Sequence, residues 1–217
     1  MLTLRHPRQF AIGERLKRWR FDREDQQFEA RYGLSLAQLV PHEQLVSSNQ
    51  AALAHATAYQ GVWCRNVRTL LLEALRCNPG LRHFVDLGSG KGKACFYAAT
   101  QHAFERIVGV EFSEPLVDIA NQNLALFEAR HPGEAIAFLA ADASTFELPH
   151  GATLVFMFNP FDGVILEHFL QHNRAHFAKH RSLVAYANDI HRSVLREQGF
   201  DAVYRDPVRC VSLFCAG

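Results

Sequence analysis

The rhythm of apolar and polar residues along this chain changes at about residue 82. Before that point apolar positions recur at helical spacing. Residues 9–31 predict one or two amphipathic helices anchored by Phe10, Leu16, Trp19 and Phe28, and Tyr32-Gly33 breaks the pattern. Leu34 to Val40 is a short apolar segment stopped by Pro41. Ser47-Ser48-Asn49-Gln50 is placed to cap an alanine-rich helix beginning near Ala51, which Gly61 interrupts. A stronger helix is expected from about Val62 to Cys77. It carries Val67, Leu70, Leu71, Ala74 and Leu75 on one face, and Asn78-Pro79-Gly80 ends it.

From Arg82 onward short apolar runs alternate with helical patterns, the mark of a parallel sheet covered on both faces. Strands are expected at His83–Leu87, Arg106–Glu111, Ala135–Ala141, Thr153–Phe158 and Ser182–Ala187. Helices are expected from Lys91 to Gln101, from a Ser113 cap to the stop at His131-Pro132-Gly133, from Val164 to Lys179, and from Ile190 to Gln198. The last two runs, Asp201–Arg205 and Arg209–Cys215, are separated only by Asp206-Pro207-Val208. That link is too short for a helical crossover, so the two strands should pair as an antiparallel hairpin.

Composition changes this picture little. A chain of 217 residues, 48% apolar and 21% charged, is globular and most simply one domain. The five cysteines contain no C-x-x-C pair, which fits neither a zinc knuckle nor a disulfide framework. Cys64, Cys77 and Cys95 fall in helical patterns and Cys210 and Cys215 in the last strand, all expected as small buried hydrophobes in a reducing, cytoplasmic compartment. No apolar run is long enough to span a bilayer. A net charge of +1 argues against a whole-protein field for nucleic acid. Residues 1–31 carry eight basic and five acidic residues, a local +3, read as a solvated helical arm in preference to a docking patch.

The chemistry centres on Asp86-Leu87-Gly88-Ser89-Gly90-Lys91-Gly92-Lys93, which joins the first predicted strand to a helix. Glycines at every second position allow a sharp turn and a close backbone approach to a ligand, and the helix behind them offers unpaired N–H groups. The spacing excludes two common readings. A G-x-G-x-x-G fingerprint would need glycine at Lys93 or Cys95, and a P-loop would need serine or threonine at Ala94. Glu111 ends the second strand, where a carboxylate can accept two hydrogen bonds from the hydroxyls of a ribose. Asp142 follows the third strand, and Asn159-Pro160-Phe161 the fourth.

These motifs, in this order, resemble the class I S-adenosylmethionine (SAM) dependent methyltransferases over about residues 63–217. The resemblance implies a Rossmann-like doubly wound α/β fold, a mostly parallel seven-stranded sheet ending in an antiparallel hairpin. Residues 1–60 would form an N-terminal helical extension or lid and residues 61–217 the methyltransferase domain. It implies SAM as cofactor, S-adenosylhomocysteine as product, and no metal. Asp86, Gly88, Ser89, Gly90, Gly92 and Lys93 would hold the methionine part, Glu111 and Phe112 the ribose region, and Asp142 and Ala143 the adenine, with Asn159 also touching the cofactor. Asn159-Pro160-Phe161 is similar to the [Asn/Asp]-Pro-Pro-[Tyr/Phe] motif of nitrogen methyltransferases, with one proline missing. The side-chain oxygen of Asn159 and the carbonyl of Pro160 would then accept hydrogen bonds from an amine, with Phe161 packing against substrate or adenine.

The wording of the glycine loop is also similar, more distantly, to non-SET histone lysine methyltransferases and to the lysine methyltransferase of the mitochondrial ATP synthase c-subunit. That makes a protein lysine the first expectation for the acceptor. A small-molecule N- or O-methyltransferase, a nucleic-acid methyltransferase whose basic N-terminal arm would line the site, and a catalytically silent SAM-binding scaffold are the alternatives. A closed cavity capped by residues 1–60 would favour a small molecule, and an open groove a protein. Tyr59 is placed either to close the methionine pocket or to fill the core. His168, His172, His176 and His180 recur every four residues but drift around a helix, so they read as a polar flank and not as a metal site.

Overall fold

A computed structural model describes residues 7–36 and 39–217, giving only the backbone path for residues 7–18 and 50–52. Its strands are β1 (His83–Leu87), β2 (Arg106–Glu111), β3 (Ile136–Ala140), β4 (Thr153–Phe158), β5 (Leu183–Ala187), β6 (Phe200–Asp206) and β7 (Val211–Ala216). They form one seven-stranded sheet in the order β3-β2-β1-β4-β5-β7-β6. The first five strands are parallel, and β7 runs antiparallel to both β5 and β6. The strand order reverses between β1 and β4, which opens a crevice at the carboxyl ends of those strands. β1 and β5 are buried along their whole length, and β4 up to the half-buried Phe158, because helices cover both faces, which is why they read as largely apolar runs. β6 is the sheet edge and is mostly exposed, with a register shift between Ala202 and Tyr204.

The helices are α1 (Pro7–Tyr32), α2 (Gln50–His55), α3 (Cys64–Cys77), α4 (Lys93–Ala99), α5 (Glu114–Glu128), α6 (Gly163–His172), α7 (Arg174–Lys179) and α8 (Arg192–Glu197). One face of the sheet packs against α3, α4 and α5, through Leu70, Ala98, Phe127 and their neighbours. The other packs against α6, α7 and α8, through Leu166, Phe169, Phe177 and Leu195. The C-terminal half of α1 lies on the first face. Phe28 meets Tyr97 and Tyr32 edge-on or tilted, each at a ring separation of 5.2 Å. Asp25 is buried there and accepts a hydrogen bond from the Cys64 backbone N–H at 2.9 Å, while its other oxygen takes the Lys93 ammonium at 2.5 Å.

Several expectations are corrected. Residues 9–31 belong to one helix, but Trp19 is 57% exposed and anchors nothing. The side chains of Phe10 and Leu16 lie outside the described residues, as do residues 37–38 of the Leu34–Val40 segment. The helix expected at 164–179 is broken, because the side chain of Asn173 is drawn inward. Its Oδ1 accepts from Leu148 N–H at 3.0 Å and its Nδ2 donates to the carbonyls of Phe146 and Phe169. Ser113 sits at the start of α5, but its hydroxyl oxygen accepts no capping bond from the helix N–H groups. Cys77 and Cys210 are exposed, and Cys210 occupies a left-handed turn position before β7 and not the strand. Among the described residues no helix is long and apolar enough to cross a membrane.

Candidate functional site

A cavity of about 260 Å³ opens at the carboxyl ends of β1, β2, β3, β4 and β5. Asp86, Gly88, Ser89, Lys93, Glu111, Phe112, Asp142, Ala143, Asn159, Pro160, Phe161 and Tyr59 all line it. Gly90 and Gly92 do not. Gly90 turns under the Tyr59 ring at φ 52°, where an added Cβ would lie 2.0 Å from that ring. Gly92 opens α4 against the core, and its Cβ would meet the Phe138 ring at 2.5 Å. Left-handed turns at these glycines delay the helix to Lys93, two residues later than expected.

The first half of the cavity carries the charge. Asp86 ends in a fully enclosed position, and the Cys95 thiol at 3.9 Å is its one hydrogen-bonding neighbour among the described residues. Burial, and then the nearby Glu111, push its carboxyl well above the usual carboxylate range. Glu111 is also raised by burial, though three backbone N–H groups oppose the shift. Its oxygens accept from Gly90 N–H at 2.8 Å and from Ser113 N–H at 3.0 Å. Glu111 therefore ties the glycine loop to the start of α5. Asp142 accepts from the Ser144 N–H and hydroxyl on one oxygen and from Asn49 Nδ2, at 3.0 Å, on the other. Desolvation opposes these bonds, but their sum holds Asp142 below the usual range. Lys93 lines the cavity with its stem, while its ammonium is engaged by Asp25 and lies 3.7 Å from Glu29.

The second half is neutral. Asn159 follows β4 in a left-handed conformation, φ 46°, and Asn188 follows β5 at φ 55°. Phe158, Phe161 and Ile165 supply apolar wall. The two oxygens expected to receive an amine already carry bonds. Asn159 Oδ1 accepts from the Tyr186 hydroxyl at 3.0 Å, and the Pro160 carbonyl accepts from Thr57 N–H at 3.0 Å. Tyr186 is buried, and burial followed by Asp189 pushes its phenol up to about 12, so it is a donor at ordinary pH.

A strap built from residues 45–62 roofs both halves. Ser47 donates to the Phe112 carbonyl at 2.7 Å, and Ser48 bonds the Glu114 carboxylate. Farther along, Ala56 pairs with Phe161 as an antiparallel bridge, and the Thr57 hydroxyl donates to the Asn159 carbonyl at 2.7 Å. His55 meets the Asp162 carboxylate at 2.7 Å. Tyr59 is half-buried and lines the cavity. Its hydroxyl donates to the Leu36 carbonyl at 3.1 Å, its ring closes over Gly90, and burial raises its pKa.

Sequence reasoning missed Asn49, Thr57, Tyr186 and Asn188. Of these, Asn188-Asp189 had a visible signal, a polar pair at a strand end in the same relation to β5 as Asn159 to β4. The histidine series divides. α6 ends at His172, and His176 and His180 gather instead with His150, at ring separations of 4.8 and 4.6 Å, on the far end of the sheet. No group of three or more His, Cys, Asp or Glu able to hold a metal occurs among the described residues.

The residues present suit a cofactor with a cationic amino-acid part and a sugar. An enclosed carboxylate with no cation beside it among the described residues and a second carboxylate at the next strand end converge on one cavity, whose wall includes Ser89. Known proteins agree with the fold and the family. Residues 84–199 match the family described as a methyltransferase domain. No curated protein matches the chain by sequence. Among solved structures, the magnesium protoporphyrin IX methyltransferase of Synechocystis PCC 6803 with bound SAM superposes with a TM-score of 0.52 at 16% identity. It covers 71% of this chain and 79% of its own. A glycopeptide N-methyltransferase complexed with SAM superposes with a TM-score of 0.50 at 15% identity, covering 69% and 92%. With the family match spanning more than half of the sequence and the sheet order in place, the chain belongs to the class I SAM-dependent methyltransferases.

Proposed function

We propose that this enzyme binds SAM in the charged half of the cavity and transfers its methyl group to a small molecule admitted at the neutral half. The observation that carries the first part is Asp86, an enclosed carboxylate with no cation beside it among the described residues. An α-amino group is the partner that would offset the cost of that buried charge. Glu111 would take the ribose hydroxyls and Asp142 the adenine amino group, while Gly88, Ser89, Phe112, Ala143 and the Tyr59 ring shape the walls. Bound SAM supplies an electrophilic methyl on a sulfonium, and the protein's task is placement.

For the acceptor, the roof favours a small molecule over the protein lysine expected from the glycine-loop wording. Leu45 and residues 56–62 take part in the cavity wall, so a substrate must pass beneath a strap held down by Thr57 and His55. The test is incubation of the purified enzyme with methyl-labelled SAM in extract from its own organism, followed by separation of protein, nucleic acid and small molecules. Label in the small-molecule fraction is expected. Label confined to protein would return the lysine reading, and SAM binding without any label would support a silent scaffold.

A further inference from the structure

The polarity of the neutral half narrows the acceptor further. Phe158 and Ala187 are register partners on β4 and β5, so Asn159 and Asn188 are the next residue on two neighbouring strands. Both are left-handed, a conformation that costs little for asparagine but is rarely adopted without a reason. Both line the cavity.

The orientation of Asn159 follows from its bonds. Tyr186 Oη receives the His191 backbone N–H at 3.4 Å, so its own proton points elsewhere, to Asn159 at 3.0 Å. The atom it meets must be the amide oxygen. A flipped amide would place two donors on a phenol and leave the phenol proton without a partner in a buried position. The Asn159 backbone is pinned as well, by the Thr57 hydroxyl on its carbonyl. What remains of Asn159 for the cavity is its NH2 group, which makes no bond among the described residues and is not shut away from solvent. The Asn188 side chain likewise has no hydrogen bond among the described residues.

A hydrogen-bond donor beside the transfer point is ill suited to a neutral amine, whose single lone pair it would occupy. An oxygen has further lone pairs to spare. No aspartate, glutamate or histidine belongs to the lining contributed by the ends of β4 and β5 or by α6, so nothing there would deprotonate a hydroxyl. An acceptor that arrives already ionised needs no base.

On the reading proposed above, we infer that the methyl acceptor is a carboxylate, held by the side-chain amides of Asn159 and Asn188, with Tyr186 as the positioning residue that sets the polarity of Asn159. One carboxylate oxygen supplies the electron pair of the new C–O bond as the S–CH3 bond breaks, its pair passing to sulfur. The products are a neutral methyl ester and a neutral thioether, and no proton is released. Apolar wall from Phe158, Phe161 and Ile165 suits the uncharged ester and the hydrophobic body of such an acid.

The test uses the full chain with methyl-tritiated SAM and small-molecule extract of its own organism, and reads alkali lability of the product. A methyl ester releases volatile labelled methanol at high pH, whereas N-methyl and ether products keep their label. Asn159→Asp is the decisive variant, since aspartate tolerates the same backbone and offers only acceptors. We expect ester formation to fall more than 100-fold in it, with calorimetric SAM affinity and melting temperature within a factor of two and a few degrees of wild type. Tyr186→Phe should raise the acceptor KM several-fold more than it lowers kcat, and Tyr186→Leu should not restore it. Alkali-stable label, or undiminished transfer by Asn159→Asp, would overturn the carboxylate while leaving the methyltransferase reading intact. Absence of label in wild type that binds SAM also counts against it. Failure to bind SAM would instead sink the reading on which it rests.

Discussion

The two halves of the cavity are built by different means. The ends of β1, β2 and β3 bring three carboxylates to the cavity, Asp86, Glu111 and Asp142, whose proposed roles depend on what they are. The ends of β4 and β5 bring two amides, Asn159 and Asn188, whose proposed roles depend on how they are turned. Charge is a property of a residue and needs only correct placement. Orientation is a property of a network, and here that network reaches Tyr186 on β5, His191 before α8 and Thr57 on the strap. One half should therefore respond to pH and to loss of a single carboxylate, and the other to loss of remote hydrogen bonds.

The largest effect should come from Gly90→Arg. Any Cβ there strikes the Tyr59 ring and the backbone is left-handed, so SAM binding should vanish in calorimetry. Next is Asp25→Ala, which removes the nearer partner of the buried Lys93 ammonium and leaves only Glu29, at 3.7 Å, among the described residues. Breaking such a pair costs about 3–5 kcal/mol, visible as a lower denaturation midpoint. Lys93→Met with Asp25→Leu should recover much of that loss, because the pair's desolvation cost disappears with it.

A third prediction separates the halves directly. Asp86 and Glu111 have carboxyls raised in the folded protein, so ionising them costs stability as pH rises from about 4, the unfolded value. A bound ammonium relieves that cost. The rise in melting temperature on adding SAM should therefore be larger at pH 8 than at pH 5, whereas the acceptor KM should change little over the same range. The smallest effect is remote from both halves. Burial first, then His180, His150 and His83, lower His176 to about 4, and its Nε2 lies 2.8 Å from the Ser182 hydroxyl. A depressed histidine contributes stability that is complete above about 6.5 and is lost as pH falls toward 4. His176→Gln should flatten that acid limb in thermal melts without touching SAM affinity.

The same contrast explains what could be read from the sequence. β1, β2 and β4 match their expected limits to the residue, because a strand buried on both faces is a short, mostly apolar run between polar or glycine-rich stretches. The hairpin of β6 and β7 followed from link length alone. Residues 84–199 give the family, whereas the roles of Asp86, Glu111 and Asp142 remain part of the proposal. Tertiary bonds decided the rest. Periodicity could not tell that Asn173 would turn inward to serve Leu148 and Phe146 and so break a helix. Nor could it tell that Thr57, more than a hundred residues upstream, would take the Pro160 carbonyl. Trp19 looked like an anchor because its spacing fits an apolar face, but α1 meets the core farther along, through Phe28 and Tyr32 near its C-terminal end.

The measurement that tests the account most directly is a calorimetric titration of SAM into the wild-type chain and into Asp86→Ala. One binding site in the wild type, weakened at least tenfold by the substitution, is the predicted result. No heat of binding in the wild type, or equal affinity in the two proteins, would contradict the placement of the cofactor on which everything else is built.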